Sequence, residues 1–179
     1  MAVSELYEMG LIEAIITQNI DGLHQDSGIP GEQVIELHGN TRRARCPGCR
    51  KIISLDEVRR RIEQGDSAPE CECGGYLKSD TISFGQAMPV DEVEKATDLS
   101  RNADVFMVIG STLLVHPAAA MPDYAAKNGA FLTIVNLSET PYDDVTDVLI
   151  QGKAGQVLPE ITREVKRLGA LEDAGGMAG

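Results

Sequence analysis

The chain lacks any run of about 18 apolar residues, so no membrane-spanning helix is expected. Its first nine residues have neither a basic start nor an apolar core, so no secretory leader is expected there. Positive charge is also short. Sixteen Lys and Arg stand against 28 Asp and Glu, a formal net charge of −12, which counts against a nucleic-acid partner because phosphate binding needs a basic face. Neither a G-x-G-x-x-G fingerprint nor a P-loop occurs, so the two common phosphate-cradling signatures are absent. There is no internal repeat. Cysteine is scarce, four in 179 residues. With no leader or membrane span, a cytoplasmic location is the default. In that reducing compartment, paired cysteines read as metal ligands rather than disulfides.

What is present fits one α/β domain with a small insert. Hydrophobic residues make up 42%, enough for a real core. Short apolar runs bounded by Gly, Asn or Asp predict strands at Ala14–Thr17, Val34–Leu37, Thr81–Phe84, Val105–Ile109, Leu132–Val135 and Val148–Ile150. Helical patterns lie between them at Val3–Met9, Leu55–Gln64, Val90–Asn102, Pro117–Asn128 and Gln156–Leu168. The Leu55 helix opens with a capping box, Ser54 with Glu57. Strand–helix alternation predicts an open α/β sheet, built from residues 1–40 and 81–168. Residues 41–80 break the rhythm and carry all four cysteines, so they read as an inserted module. Two basic clusters, Arg42, Arg43, Arg45, Arg50 and Lys51, then Arg59, Arg60 and Arg61, read as a solvated face of that module. Residues 169–179, rich in Gly and Ala, read as a disordered tail.

Cys46 and Cys49 are separated by two residues, Cys71 and Cys73 by one, with 21 residues between the pairs. Zinc takes four soft ligands in a tetrahedron, and a Cys-x-x-Cys turn offers two sulfurs from one knuckle. Four sulfurs leave no open position, so such a zinc would be structural. A redox dithiol and unrelated buried thiols are the competing readings.

Polar residues follow several predicted strands. Thr17-Gln18-Asn19-Ile20-Asp21-Gly22 sits where α/β sheets bind ligands, although a helix-capping turn would look the same. His38-Gly39 ends the next strand. His38 is suited to act as a general base, or is a hydrogen-bonded structural residue. His24 and His116 read as structural. Gly110-Ser111-Thr112 follows a further strand and could cradle phosphate or ribose. Asn136 ends a later strand with an amide that could bond a sugar or base.

Taken together and in order, these motifs resemble the sirtuins, a family of NAD-dependent protein-lysine deacylases. The likeness rests on Thr17–Asp21, His38-Gly39, the two cysteine pairs, Ile82-Ser-Phe84-Gly85, Gly110-Ser111-Thr112 with Val115 and Pro117, and Ile134-Val-Asn136. It covers roughly residues 1–168. The resemblance implies a Rossmann-like domain with a zinc module and the cofactors NAD and Zn2+. It also implies an acylated-lysine protein or peptide as the substrate partner. Gln18, Asn19 and Asp21 would hold the nicotinamide end of NAD and its ribose, and Asn19 and His38 would be the catalytic pair. Gly110, Ser111 and Thr112 would contact ribose and phosphate, Asn136 and Leu137 the adenosine ribose, and Lys153 and Ala154 the adenine. Ile82, Phe84 and Gly85 would bind the peptide by strand addition. In the family reaction the acyl oxygen attacks the nicotinamide ribose, nicotinamide leaves, and the acyl group ends on ADP-ribose.

The chain departs from the family pattern at three points. Gln86 stands where Glu often follows Phe-Gly, and the second cysteine pair is Cys-x-Cys. Nothing matches the opening strand, the glycine-rich loop or the Asp-Phe-Arg segment. The missing strand would lie centrally, between the strands ending at Thr17 and Ile109, leaving two open edges. The sheet is therefore expected to be incomplete, and the chain to be an N-terminally truncated sirtuin that alone binds NAD poorly. The rival expectation is a catalytically impaired, zinc-stabilised module that binds acyl-lysine peptides or a partner.

Overall fold

The structure is a computed structural model that describes residues 2–83 and 85–176. Along the chain run α1 (Ala2–Glu8), β1 (Ile15–Thr17), α2 (Leu23–Asp26), β2 (Val34–Glu36), β3 (Gly39–Arg45), β4 (Ile52–Ser54) and α3 (Leu55–Glu63). Then come β5 (Lys78–Thr81), α4 (Val90–Asn102), β6 (Val105–Ile109), α5 (Met121–Lys127), β7 (Phe131–Asn136), β8 (Val148–Gln151) and α6 (Ala154–Gly176). The chain divides into two compact units, Ile15–Glu92 and Met1–Ala14 with Val93–Gly179.

The unit Ile15–Glu92 holds two sheets. β1 and β2 pair in parallel, with Ile15 beside Val34 and Thr17 beside Glu36. Ile29, Ile35 and Leu37 are almost fully buried around them. Each such side chain contributes about 1.5–3 kcal/mol by leaving water. The second sheet is antiparallel, in the order β4-β3-β5. Its central strand shifts register between Asn40 and Ala44. Ser54 caps α3, its hydroxyl accepting the Glu57 N–H at 3.2 Å, as the capping box predicts.

The other unit holds a parallel sheet in the order β6-β7-β8. β7 lies at its centre, with Leu132, Ile134 and Val135 fully buried. Val108, Leu113, Ala119, Leu132 and Ile134 form the core, and Phe106, Ala126 and Tyr142 pack on it. α1 docks on α6, where the Thr162 hydroxyl donates to the Ala2 carbonyl and Lys166 pairs with Glu5.

Parallel strands with intervening helices make this an α/β fold, as expected. Several expectations need correction. The strand expected at Thr81–Phe84 lies earlier, at Lys78–Thr81, and pairs antiparallel to β3 rather than in the parallel sheet. Phe84 itself lies outside the described residues. β3 and β4 had not been expected, because their sequences are polar or too short to show a pattern. The helix expected from Pro117 begins as a 3-10 turn, Ala118–Ala120, and becomes α-helical at Met121. α6 does not stop at Gly169 but continues to Gly176, so the expected break to a disordered tail at 169 is not there. The residues beyond Gly169 include good helix formers, which outweigh the single glycine. Residues 177–179 lie outside the described residues. Among the described residues β1 pairs only with β2, and β6 only with β7. No helix among them is long and apolar enough to cross a membrane.

Candidate active site and metal centre

The four cysteine sulfurs converge within 4.8 Å of one another. The Cys46 and Cys73 sulfurs are 3.4 Å apart, and those of Cys49 and Cys71 3.5 Å. Zinc–sulfur bonds of about 2.3 Å set tetrahedral sulfurs about 3.8 Å apart, so the arrangement fits the ion. Each pair sits on a hydrogen-bonded turn. The Arg50 N–H reaches the Cys46 carbonyl at 2.8 Å, and the Gly74 N–H reaches that of Cys71 at 2.8 Å. Gly75 lets the chain pass the cluster, since a Cβ there would lie 2.9 Å from the Cys46 sulfur.

The local field is uneven. The Cys49 N–H pointing at Cys46 outweighs burial and brings that thiol down to about 7. At Cys49 the Lys51 N–H acts downward, but hydrogen bonds with Cys73 and Cys71 push the thiol up to about 12. So many sulfurs cannot all ionise together without a cation, which is the charge balance a metal supplies. Two of the four, Cys46 and Cys71, are buried. The four thiols therefore form a closed metal centre suited to zinc, and a dithiol switch does not account for the convergence of all four.

In the basic clusters Arg42, Arg50, Lys51, Arg59 and Arg60 are exposed, as a solvated face requires, whereas Arg43 and Arg45 turn to buried acids. Arg43 bridges Glu36 and Asp80, both at 2.6 Å, and Arg45 also binds Asp80. Glu36 and Asp80 are buried, and Glu36 additionally accepts from Gln25 at 2.8 Å and from Asn40. Burial acts to raise the Asp80 pKa, but the bonds from Arg45 and Arg43 prevail and hold it below its ordinary 3.8. Lys51 pairs with Glu72, and Arg61 with Asp66. Arg43, Arg45, Lys51 and Arg61 are thus each paired with an acid of the same unit. Sequence reasoning missed this network because its partners come from four separate segments.

His38 stands between Glu36 and Asn40, two residues of that network. Its Nδ1 lies 3.0 Å from the Gln18 carbonyl, and its own carbonyl accepts the Ile82 N–H at 3.0 Å. A carbonyl only accepts, so Nδ1 carries the proton, and in the neutral ring Nε2 is left with its lone pair. Gly39 follows at φ +75°, with its α-carbon pressed against β5. A Cβ there would lie 1.9 Å from the Asp80 carbonyl oxygen. Only glycine fits this crossing, which fixes the backbone beside the imidazole. The structure thus brings Gln18, His38 and Ile82 together. Asn19 and Asp21 follow Gln18 on the same exposed loop, where the Asp21 carboxylate accepts the Leu23 N–H at 3.1 Å. Gly85 lies in a turn in which the Gln86 N–H reaches the Ser83 carbonyl at 2.9 Å.

In the other unit the remaining candidates gather at the C-terminal ends of three adjacent parallel strands, the usual ligand side of an α/β sheet. Gly110–Thr112 follow β6, Asn136 ends β7 with Leu137 next to it, and Lys153 and Ala154 follow β8. The Gly110 N–H bonds the Val135 carbonyl and the Gly152 N–H the Asn136 carbonyl, both at 2.9 Å, which ties the three loops together. The Ser111 hydroxyl accepts the Leu113 N–H at 3.2 Å. The Asn136 amide donates to the Ser138 carbonyl at 2.8 Å. This set of hydroxyl, amide and ammonium groups suits the ribose hydroxyls and phosphates of a nucleotide.

Fold and site together define an α/β protein with a four-thiol metal centre and a histidine held by a backbone carbonyl. A sequence model of the Sir2 family matches residues 1–117. The chain is 51% identical over 158 residues to NAD-dependent protein deacetylase 1 of Bradyrhizobium diazoefficiens, covering 88% of this chain and 62% of that protein. It is 42% identical over 167 residues to the NAD-dependent protein deacetylase of Sulfolobus acidocaldarius, covering 93% and 65%. A solved complex of Sir2 with a p53 peptide and NAD+ matches with a TM-score of 0.78 and 38% identity, covering 95% of this chain and 68% of that one. The chain belongs to the Sir2 family, the sirtuins. It spans 62% and 65% of the length of these two relatives.

Proposed function

We propose that this chain is part of an NAD-dependent protein-lysine deacylase, which moves an acyl group from lysine to ADP-ribose with release of nicotinamide. The observation that carries the proposal is His38, held by the Gln18 carbonyl with Nε2 presented as a base. In this reading Gln18, Asn19 and Asp21 hold the nicotinamide end of the cofactor, and Ser111, Thr112, Asn136 and Lys153 its sugars and phosphates. Bound NAD supplies an electrophilic ribose carbon and a ribose hydroxyl. His38 would accept the proton of that hydroxyl at Nε2. Asn19 orients the reacting group beside it, and Ile82, Phe84 and Gly85 align the acyl-lysine peptide by backbone pairing. The division into a Rossmann-like part, 1–40 and 81–168, and a metal module, 41–80, belongs to the same reading. So does a cytoplasmic location, which four reduced thiols gathered on one metal would favour.

The test is mass spectrometry of an acetyl-lysine peptide, with and without NAD. It would use this chain and the longest product its gene encodes. NAD-dependent loss of the acetyl group, reduced about 100-fold or more by His38→Ala, is expected. Deacetylation that persists without NAD, or that is indifferent to His38→Ala, would overturn the proposal.

A further inference from the structure

Three carbonyls of the Gln18–Gly22 loop are each fastened by the segment His38–Arg42. His38 takes the Gln18 carbonyl. Thr41 takes that of Ile20 through both its N–H and its hydroxyl, each at 2.8 Å. Arg42 takes that of Asp21 through Nε at 2.7 Å. The guanidinium then turns its two terminal nitrogens onto both oxygens of Asp26, on α2. One side chain therefore ties the end of the loop to the helix that follows it. Gly22 is shaped to this contact. It adopts φ +71°, and a Cβ there would lie 2.7 Å from Arg42 Nε and 2.9 Å from its Cδ.

The side chains of Arg42 and Asp26 are 50% and 48% exposed, so their ion pair adds little to global stability. Its consequence is local, on a loop that is itself exposed. We propose that Arg42 is a positioning residue, which fixes the loop so that Asn19 and Asp21 are presented to the cofactor. The cofactor half rests on the function proposed above. The carbonyl bond, and not only the ion pair, sets the loop. Lysine cannot span the Asp21 carbonyl and both Asp26 oxygens at once.

The test is amide hydrogen exchange by NMR at Asn19, Leu23 and Thr41 in the full 179-residue chain, without ligand. Arg42→Ala is expected to speed exchange at these amides about 10-fold or more, with little change in melting temperature. Arg42→Lys is expected to fall between, and it serves if the alanine variant fails to fold. Exchanging the charges, Asp26→Arg with Arg42→Asp, restores an ion pair but not the carbonyl bond, so exchange is expected to stay fast. Unchanged exchange in Arg42→Ala, or slow exchange restored by the charge swap, would overturn the clamp. The same resonances, titrated with NAD in the longest product the gene encodes, test the cofactor half. Shifts at Asn19 and Asp21, with affinity about 10-fold weaker in Arg42→Ala, support it. A clamped wild-type loop that does not respond to NAD would overturn the cofactor reading and leave the clamp standing.

Discussion

Replacing Gly39 with alanine tests the crossing that holds His38. The added Cβ would lie 1.9 Å from the Asp80 carbonyl oxygen and 2.9 Å from its carbon. Both are backbone atoms, so no side chain can swing aside. The left-handed φ of +75° costs a residue with a Cβ about 1–2 kcal/mol. Displacing β5 from β3 adds an overpacking cost of about 1–3 kcal/mol. Loss of glycine's freedom in the unfolded chain returns about 0.4–1 kcal/mol. The net destabilisation is about 2–4 kcal/mol, a large share of the roughly 5–15 kcal/mol typical of a domain. Gly28 provides the control, because it belongs to the same unit and has φ +95°, with nothing within 4 Å of where a Cβ would stand. Gly28→Ala therefore carries strain without a clash, and about 1 kcal/mol is expected. Urea unfolding followed by circular dichroism at fixed zinc concentration reads both. With a slope of about 1–3 kcal/mol per molar urea, Gly39→Ala should lower the midpoint by about 1–2 M, and Gly28→Ala by less than half of that. Equal shifts for the two variants would refute the contact with Asp80.

Two further outcomes follow from the same unit. Gly75→Ala places a Cβ 2.9 Å from the Cys46 sulfur, whereas Gly48→Ala meets sulfur only at 3.7 Å. Competition with a chromogenic chelator should show zinc affinity about 10-fold weaker in the first and unchanged in the second. Asp80 has a folded pKa below its ordinary 3.8, so its contribution is complete above that value and is lost as pH falls through the lower folded value. Asp80→Asn should remove this part of the acid dependence. It should cost about 2–3 kcal/mol at neutral pH, because Arg43 and Arg45, each about a third exposed, keep their charge without their shared partner. Thermal melts from about pH 3 to pH 7 measure both effects.

The parallel strands were legible as short continuous apolar runs between turn residues. β6 begins and ends where its sequence, Val105–Ile109, predicts. The metal centre was legible because all four ligands lie in two short motifs. His38 was legible as a polar residue at a strand end, but its tautomer was not, since the carbonyl that sets it belongs to Gln18, 20 residues earlier. The antiparallel sheet escaped notice for a physical reason. β3 reads Gly-Asn-Thr-Arg-Arg-Ala-Arg and β5 Lys-Ser-Asp-Thr, and their inward-facing groups include charges paired with each other rather than apolar side chains. A pattern built on hydrophobicity cannot register such a core. The clamp of Arg42 on Asp21 and Asp26 was hidden in the same way, because an arginine in a basic cluster gives no sign of which carbonyl it will meet.

The proposed chemistry is tested most directly by following the acyl group itself. An acetyl-lysine peptide carrying an isotopic label on the acetyl carbon is incubated with NAD and the longest product of the gene, and the products are resolved by mass spectrometry. The label is expected on ADP-ribose, with one nicotinamide released for each lysine freed. Label recovered only as free acetate from the outset, with NAD left intact, would contradict the transfer to ADP-ribose.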